Sequence, residues 1–584
     1  MRRYEEDWMT TWRSGDVTEL MNRFGITNIV ARLLWSRGFR TNDQVASYLY
    51  PPADIAWPRL EGTDEFIRVM KEALAEGGRF RIIGDYDVDG VTGTYLMYTA
   101  LRTLKADVDY RIPDRVADGY GLSEDMVRKA KEDGVRTLVT VDNGIAAVKQ
   151  CALARELGLR VVVTDHHDPQ ETVPAVDCMV DPKLSEGENH YDNLCGAVVA
   201  AMLSDALLSS EGMDGYCDSK IEILALATLC DVMELSGIAR DILKKGLTKP
   251  VKEWNPGLRA LFQANNLSEP VKPYSFGFVI GPCINALGRL ETADYGVELL
   301  LSRDSELRQE YAARMVEVNS RRREQSDFYT KEAIRLADEM LTDDADASPV
   351  IVLYLPGCHE SIAGIVCGKV REAWNRPVFL LTDAAGEEGM LKGSGRSTES
   401  FSMIDAMNRH PELFLKYGGH PMAAGLTMRC ELVDDLRSAM AEEFRAQDAS
   451  LRKCRKIDLP VPFAQLNRSV IAEIELMGPF GKGNREPLFA NRDVTVVGLR
   501  RVGSEGRYLS MRLRDSEGTE IRAMMFDDAA GFLSEFREKF GNSALDDTMY
   551  GRGTMRMTVL YTARENVFRD TVSIEAEIKG YRFA

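Results

Sequence analysis

Residues 159–168 read LRVVVTDHHD, an apolar β-branched run ending in an acid and two adjacent imidazoles. The 584 residues contain only six histidines, so two side by side at the end of a strand-like run call for a reason. Working outward, a helical stretch at 145–157 is preceded by TLVTV (137–141), which runs into Asp142 of VDNG. Further back lie a helix beginning at Ser123, a short strand DVDYRI, a helix near 91–104 and the strand RFRII (79–83), which runs into GDYDVDG. Strands alternating with helices at this spacing predict a parallel, doubly wound α/β sheet.

On either side the pattern changes. Residues 1–78 read as a helical lead-in ending in the turn-rich YPPADIAWP. The first α/β domain spans 79–275, with a helical region at about 196–265, and 276–345 is a connecting helical region whose charged stretch 304–341 forms one long helix. A second α/β domain occupies 346–450, opening with SPVIVLYL and continuing through a helix near 362–374 to the strand PVFLL. After the basic run RKCRK (452–456), residues 455–584 become β-rich, and five or so strands with short turns suit an OB-like barrel. The expected fold is thus two α/β domains joined by a long helix, followed by an all-β barrel.

Composition narrows the class. With 45% apolar and 28% charged residues, the chain is ordinary for a soluble globular protein. The N-terminal stretch has no apolar core of a signal peptide, and the longest apolar runs are far short of a membrane span. Ten cysteines with no C-x-x-C pair argue for reduced thiols in a cytoplasmic protein rather than zinc fingers or disulfides. A net charge of −18 speaks against a generic polyanion binder. The acidity is uneven: residues 455–584 carry 20 Lys and Arg against 19 Asp and Glu, so the excess lies upstream.

Four acidic clusters close strands or apolar runs: Asp85, Asp87 and Asp89; Asp142; Asp165 with His166 and His167; and Asp231 of LCDV. A lone Asp-x-Asp is ordinarily a solvated loop and a lone Asp-Asn-Gly a turn. Four such clusters in order along one sheet are another matter, because ligands bind at the carboxyl ends of parallel strands. Carboxylates with one or two imidazoles suit Mn²⁺ or Mg²⁺, and several shared carboxylates suit two ions. The second α/β domain adds GCHESIAGIVCGK (357–369) with His359, GSGRS (393–397) with Ser394 and Arg396, and GGHPMAAG (418–425) with Gly419 and His420. Read as glycine turns, the last two offer backbone N–H groups and an Arg fork to phosphate.

DYDVDG, VDNG and DHH in this order resemble the DHH phosphoesterase superfamily, and GSGRS and GGHPMAAG resemble its DHHA1 substrate-binding domain. CGAVVAAML (195–203), INALGRL (284–290) and GPFGKGNREPLF (478–489) are similar to a branch of bacterial exonucleases that degrade single-stranded DNA from 5′ ends. The resemblance implies metal ligation by Asp87, Asp89, Asp142, His166 and Asp231, with Asp85 as an additional member, and contact of His167 with the scissile phosphate. It implies phosphate binding by Ser394, Arg396, Gly419 and His420 with His359 nearby, and a nucleotide path past Asn285 and Arg289. It also implies a monomer, a role in DNA repair and recombination, and a single-strand-binding protein and a helicase as partners. The chain departs from many relatives at Ile83, where they carry a histidine, and at Cys358, where an aromatic is usual.

The expected reaction is phosphodiester hydrolysis by water that the cations acidify, releasing mononucleotides. A narrow cleft between the α/β domains would admit one strand. The barrel would hold that strand through Tyr508, Phe526 or Tyr561 and through Arg500, Arg501 and Arg512. The alternatives are a DHH phosphodiesterase for small substrates (nanoRNA, cyclic dinucleotides, bisphosphonucleotides) and an inactive DHH scaffold. The C-terminal module counts against the first, and the retained ligand types against the second.

Overall fold

A computed structural model describes residues 4–51, 53–115, 118–185, 191–343, 348–568 and 571–584; His190, which belongs to no motif, falls outside them. The chain divides into two compact units. One comprises Pro52–Ser326 with Pro479–Arg485, and the other Met1–Pro51, Asp327–Gly478 and Glu486–Ala584.

The first unit is built on five parallel strands: β1 (Arg79–Ile83), β2 (Val108–Arg111), β3 (Val135–Val141), β4 (Arg160–Thr164) and β5 (Cys178–Val180), in the order β2-β1-β3-β4-β5. Their period-two alternation is apolar on both faces, as a sheet covered by helices requires. Phe80, Ile82, Val139, Val141 and Val162 enter one core, while Ile83, Leu138, Val161 and Val163 enter the other. Helix α1 (Val88–Thr103) follows β1 and packs against α2 (Gly196–Ser209) and α3 (Ile221–Cys230). α3 reads IEILALATLC and is apolar all round, which explains its deep burial. Helix α4 (Gly281–Leu290) continues directly from a π-helical segment, Ser275–Ile280. Strand order reverses between β1 and β3, and at that switch point loops from the carboxyl ends diverge and leave a crevice.

The long helix α5 (Ser305–Asp343) begins in the first unit and ends in the second. There β6 (Ile351–Tyr354), β7 (Val378–Asp383), β8 (Met390–Arg396), β9 (Lys416–His420) and β10 (Ala423–Arg429) form a sheet ordered β9-β10-β8-β7-β6. Only β6 and β7 are parallel. Helix α6 (Glu360–Trp374) covers β7 and β8. The C-terminal strands β11 (Phe489–Val502), β12 (Tyr508–Arg514), β13 (Glu520–Met525), β14 (Met555–Phe568) and β15 (Thr571–Phe583) close into a barrel. Each pairs with the next in the cycle β11-β12-β13-β15-β14 and back to β11.

Four expectations need correction. The lead-in is not purely helical: Glu6–Thr10 is a strand parallel to Lys453–Ile457, so the basic run is a paired strand. The barrel carries a helix, α7 (Ala529–Met549), that its β-rich pattern did not announce. GSGRS is not a turn but the end of β8. A Cβ at Gly393 would lie 2.6 Å from Leu381, and one at Gly395 would lie 2.1 Å from Met403 Sδ, so these glycines make room for the apolar layer beneath. GGH likewise ends strand β9, and among its glycines only Gly419 has a positive φ, +148°.

Candidate active site

The acidic loops of the first unit converge at the switch point. His166 Nε2 lies 3.1 Å from Asp142 Oδ1, 3.5 Å from Asp231 Oδ2 and 3.6 Å from Asp89 Oδ2. Donor atoms fall within 4.8 Å of one another in three sets: Asp85, Asp87 and Asp142; Asp89, His166 and Asp231; and Asp142, His166 and His167. Asp142 and His166 are each shared by two sets, so the groups form one continuous cluster.

Local structure holds each acid. Asp87 caps α1 by accepting from Gly90 N at 3.0 Å, and a Cβ at Gly90 would sit 2.4 Å from Asp85 N. Asp89 accepts from the amides that open α2, Gly196 N at 2.6 Å and Ala197 N at 2.9 Å, which places an anion at a helix N-terminus. Asp142 adopts φ +62° directly after β3, and a Cβ at Gly196 would come within 2.6 Å of its Cβ. Asn143 Nδ2 reaches the carbonyls of Ile83, Gly84 and Val141, tying the ends of β1 and β3 together. Ile83 itself is fully buried in the sheet core, so the position where relatives carry a histidine is structural here.

Asp165 works differently from its neighbours. It accepts from Ile145 N at 2.9 Å and His166 N at 2.8 Å, and pairs with His167 Nδ1 at 2.7 Å. The first residue of the DHH triplet therefore orients the second imidazole. Tyr120 O–H sits 3.1 Å from His167 Nε2 and donates to the Asp142 carbonyl. Sequence reasoning gave no role to Asp165, Tyr120, Asn143 or the Gly196 and Ala197 amides; Asp165 inside the DHH run, Asn143 inside VDNG and Gly196 and Ala197 inside CGAVVAAML carried a signal, and Tyr120 carried none.

Burial raises the pKa values of Asp85, Asp87, Asp142 and Asp231, and neighbouring carboxylates add to the effect; Asp231 is pushed up to about 9. Burial lowers that of His166, favouring the neutral imidazole that ligates metal. For His167 burial opposes charge, but the bond to Asp165 and the charges of Asp165, Asp231 and Asp89 prevail and raise it to about 9. Asp85 Oδ1, Asp142 Oδ1, Asp231 Oδ2 and both His166 ring nitrogens are buried with no hydrogen-bond partner among the described residues. Unpartnered buried polar atoms are costly, and a cluster of carboxylates around one neutral imidazole fits Mn²⁺ or Mg²⁺.

Asn285 and Arg289 lie beside this cluster on α4. Asn285 Oδ1 accepts from Val88 N at 3.0 Å, bracing the first turn of α1 between Asp87 and Asp89. One turn on, a Cβ at Gly288 would lie 2.5 Å from the Tyr86 carbonyl, and the charge of Arg289 acts on the Tyr86 hydroxyl.

The remaining expected residues belong to the second unit. Register puts His420 opposite Ala423 and Ala423 opposite Arg396, so His420 and Arg396 share one row across β9, β10 and β8. Arg396 Nη1 donates to Ser394 Oγ at 3.2 Å and to the Gly395 carbonyl at 2.8 Å. A Cβ at Gly364 of α6 would meet both Arg396 Nη2 and Ser394 Oγ at 3.0 Å, so this glycine lets the helix approach the guanidinium. His359 caps α6 through Nδ1, which accepts from Ser361 N. On the barrel, Tyr561 is core rather than a stacking surface: it is fully buried and its hydroxyl donates to the Val461 carbonyl at 2.6 Å. Tyr508 and Phe526 form an edge-to-face pair, while Arg500, Arg512, Arg522 and Tyr550 line a groove of about 500 Å³.

Three family models match the chain: the DHH family N-terminal domain over residues 79–229, the DHHA1 domain over 347–446 and the RecJ OB domain over 457–580. The single-stranded-DNA-specific exonuclease RecJ of Salmonella typhimurium is 32% identical over 80% of this chain and 83% of its own length. The protein of the same description from Bacillus subtilis is 33% identical over 88% of this chain, which spans 64% of that relative's length. Among solved structures, RecJ from Thermus thermophilus in complex with Mn²⁺ superposes with a TM-score of 0.82 at 28% identity, over 99% of this chain and 80% of that one. The same protein in complex with Mg²⁺ gives 0.75 at 27% identity, over 99% and 78%.

Proposed function

The chain belongs to the RecJ family, and from that premise we infer that it is a metal-dependent exonuclease that hydrolyses phosphodiester bonds of single-stranded DNA from the 5′ end. The observation that carries this reading is the set of buried, unpartnered carboxylate and imidazole atoms gathered at the switch point of the parallel sheet. In the proposed assignment Asp85, Asp87 and Asp142 hold one ion and Asp89, His166 and Asp231 a second. Bound there, divalent cations would neutralise charge on the phosphoryl oxygens and acidify a water. The chain supplies the rest. The α2 amides hold Asp89, and Asp165 fixes the ring of His167 and favours its protonated form, placed to donate to a phosphate or leaving oxygen.

In the same reading Ser394, Arg396 and His420 grip phosphates through one row of the second sheet, with His359 at the head of α6. Asn285 and Arg289 border the nucleotide next to the metals, and the barrel groove follows the strand. The domain limits read from sequence, 79–275, 346–450 and 455–584, serve as the working division. Ten free cysteines support a reducing, cytoplasmic setting. Among the described residues no helix is long and apolar enough to cross a membrane. A monomer served by a single-strand-binding protein and a helicase completes the proposal.

The test is incubation with Mn²⁺ and end-labelled single-stranded DNA, RNA and duplex. Mononucleotide release from the 5′ end of single-stranded DNA, lost in Asp142→Ala, is the expected result. Turnover of dinucleotides without strand cleavage would move the assignment to small substrates.

A further inference from the structure

Two large aromatic side chains stand in solvent close to the metal-ligating cluster, and nothing in the assignments above uses them. Tyr274 is 65% exposed and Phe278 72% exposed, and their rings stack at 5.3 Å with planes only 13° apart. They flank the start of the π-helical segment Ser275–Ile280, which runs straight into α4. Pro282 contributes to the irregular winding, since it has no N–H to return to the Phe278 carbonyl. π-Helical turns are costly and concentrate at functional sites.

The segment is anchored to the site at both ends. Cys230, next to Asp231, donates its thiol to the Phe276 carbonyl, and a Cβ at Gly281 would lie 2.3 Å from Cys230 Sγ. Farther along the same rod, Asn285 braces the first turn of α1 between Asp87 and Asp89. Phe278 and Asn285 are seven positions apart on this rod, a rise of about 10 Å. A second element meets the same patch. The turn 481–484, closed by reciprocal backbone bonds between Gly481 and Asn484, is pinned by Leu235 N donating to the Lys482 carbonyl at 2.8 Å. Cβ atoms at Gly277 and at Gly481 would lie 3.7 and 4.0 Å from Leu229, so the aromatic segment and the lysine turn flank one residue of α3, two before Asp231. Lys482 is exposed, and its charge is felt at Asp231.

We propose that Tyr274 and Phe278 form a base-stacking platform, with Lys482 beside it for the backbone phosphate, that positions the nucleotides of a single strand next to the metal cluster. The proposal rests on the exonuclease reading and adds a positioning surface to it. Stacked rings accept any base face, so the platform is sequence-tolerant. Base–aromatic stacking of ordinary strength corresponds to roughly 5- to 100-fold in binding for each base.

The experiment compares full-length wild type, the double variant Tyr274→Ala/Phe278→Ala and the ring-preserving Tyr274→Phe/Phe278→Tyr. Each is assayed by anisotropy and by steady-state kinetics on oligothymidine, on the same strand carrying abasic positions near the 5′ end, and on a dinucleotide. Loss of the rings is expected to raise Kd and KM on oligothymidine about 5- to 100-fold with kcat little changed, and the ring-preserving variant restores both. Abasic positions bring wild type to the level of the double variant, and the dinucleotide, too short to reach, does not distinguish them. Unchanged Kd and KM would overturn the proposal. So would an equal loss on abasic strands and the dinucleotide, which marks a structural role, or a change in oligomeric state with DNA binding intact, which marks self-association. Failure of wild type to cut any strand would defeat the exonuclease reading alone, and anisotropy would still decide the platform.

Discussion

The two sets of expected site residues are built on opposite physical principles. In the first unit the polar atoms are buried, crowded with like charge and short of partners, held by helix-start amides and close-packed glycines. In the second, His420 is exposed at the end of a strand and Arg396 is half-buried against its own neighbours. A buried carboxylate cluster stores repulsion that a proton or a bound cation relieves, so once ionised it is destabilising without its ligand and selective with it. A half-buried Arg and an exposed His in a row cost the fold little and grip an anion weakly unless several act together. In the proposed reading chemistry belongs to the first region and substrate retention to the second.

That contrast yields predictions of graded size. The largest concerns Asp142→Ala, which removes a donor from two of the three sets; the single-turnover rate falls roughly a thousandfold or more with DNA binding largely retained, as an interaction needed only for chemistry requires. Arg396→Ala reverses the pattern, raising KM roughly tenfold with a smaller change in kcat, because one charge-assisted phosphate contact is lost. A kcat collapse in Arg396→Ala equal to that in Asp142→Ala would erase the division of labour. Gly196→Ala touches no ligand chemically but drives a methyl into Asp142; Mn²⁺ affinity by calorimetry drops about 10- to 100-fold, the range for a disturbed supporting shell.

Next comes pH. A carboxyl whose folded pKa is raised contributes stability that is complete below its unfolded pKa, near 4, and is lost as pH climbs through the folded value. For Asp231 that window runs from about 4 to about 9. Metal-free protein thus loses melting temperature across this range, Asp231→Asn flattens the decline, and Mn²⁺ raises Tm more at pH 8 than at pH 5. An equal Mn²⁺ shift at both pH values would contradict the buried-charge account. The smallest effect belongs to His359→Ala, which removes the α6 cap and lowers stability by about 1 kcal/mol in denaturant titration.

How much of this was readable in advance follows from locality. Asp85, Asp142 and His166 were legible because they follow β1, β3 and β4, whose carboxyl ends meet by construction; Asp87 and Asp89 came with the same run as Asp85, and Asp231 with the apolar run that forms helix α3. The role of Asp165 was hidden because an acid beside metal ligands looks like one, and only coordinates show its bonds to backbone and ring. Tyr120 gave no signal, since its loop has no periodicity. GSGRS was misread because glycine suggests turns, whereas here it clears space for Leu381 and Met403 inside a sheet. Tyr561 follows Leu560 across an irregularity in the strand pairing, where both side chains are buried, so alternation along the strand does not say which of them faces inside. Helix α7 lay in a segment taken as part of a continuous β pattern.

One pairing reaches beyond the site. Glu6–Thr10 finds its strand partner only at Lys453–Ile457, more than four hundred residues later. At 5–20 residues per second, synthesis of the intervening chain takes roughly 20 to 90 s, and domains generally fold as units from the N-terminus. Throughout that interval Glu6–Thr10 is a solitary edge, kept from adventitious pairing by Glu5, Glu6 and Asp7. When the partner emerges, Arg452 and Arg455 meet those same acids, so the charges that guarded the segment while it was alone become its latch once it is paired.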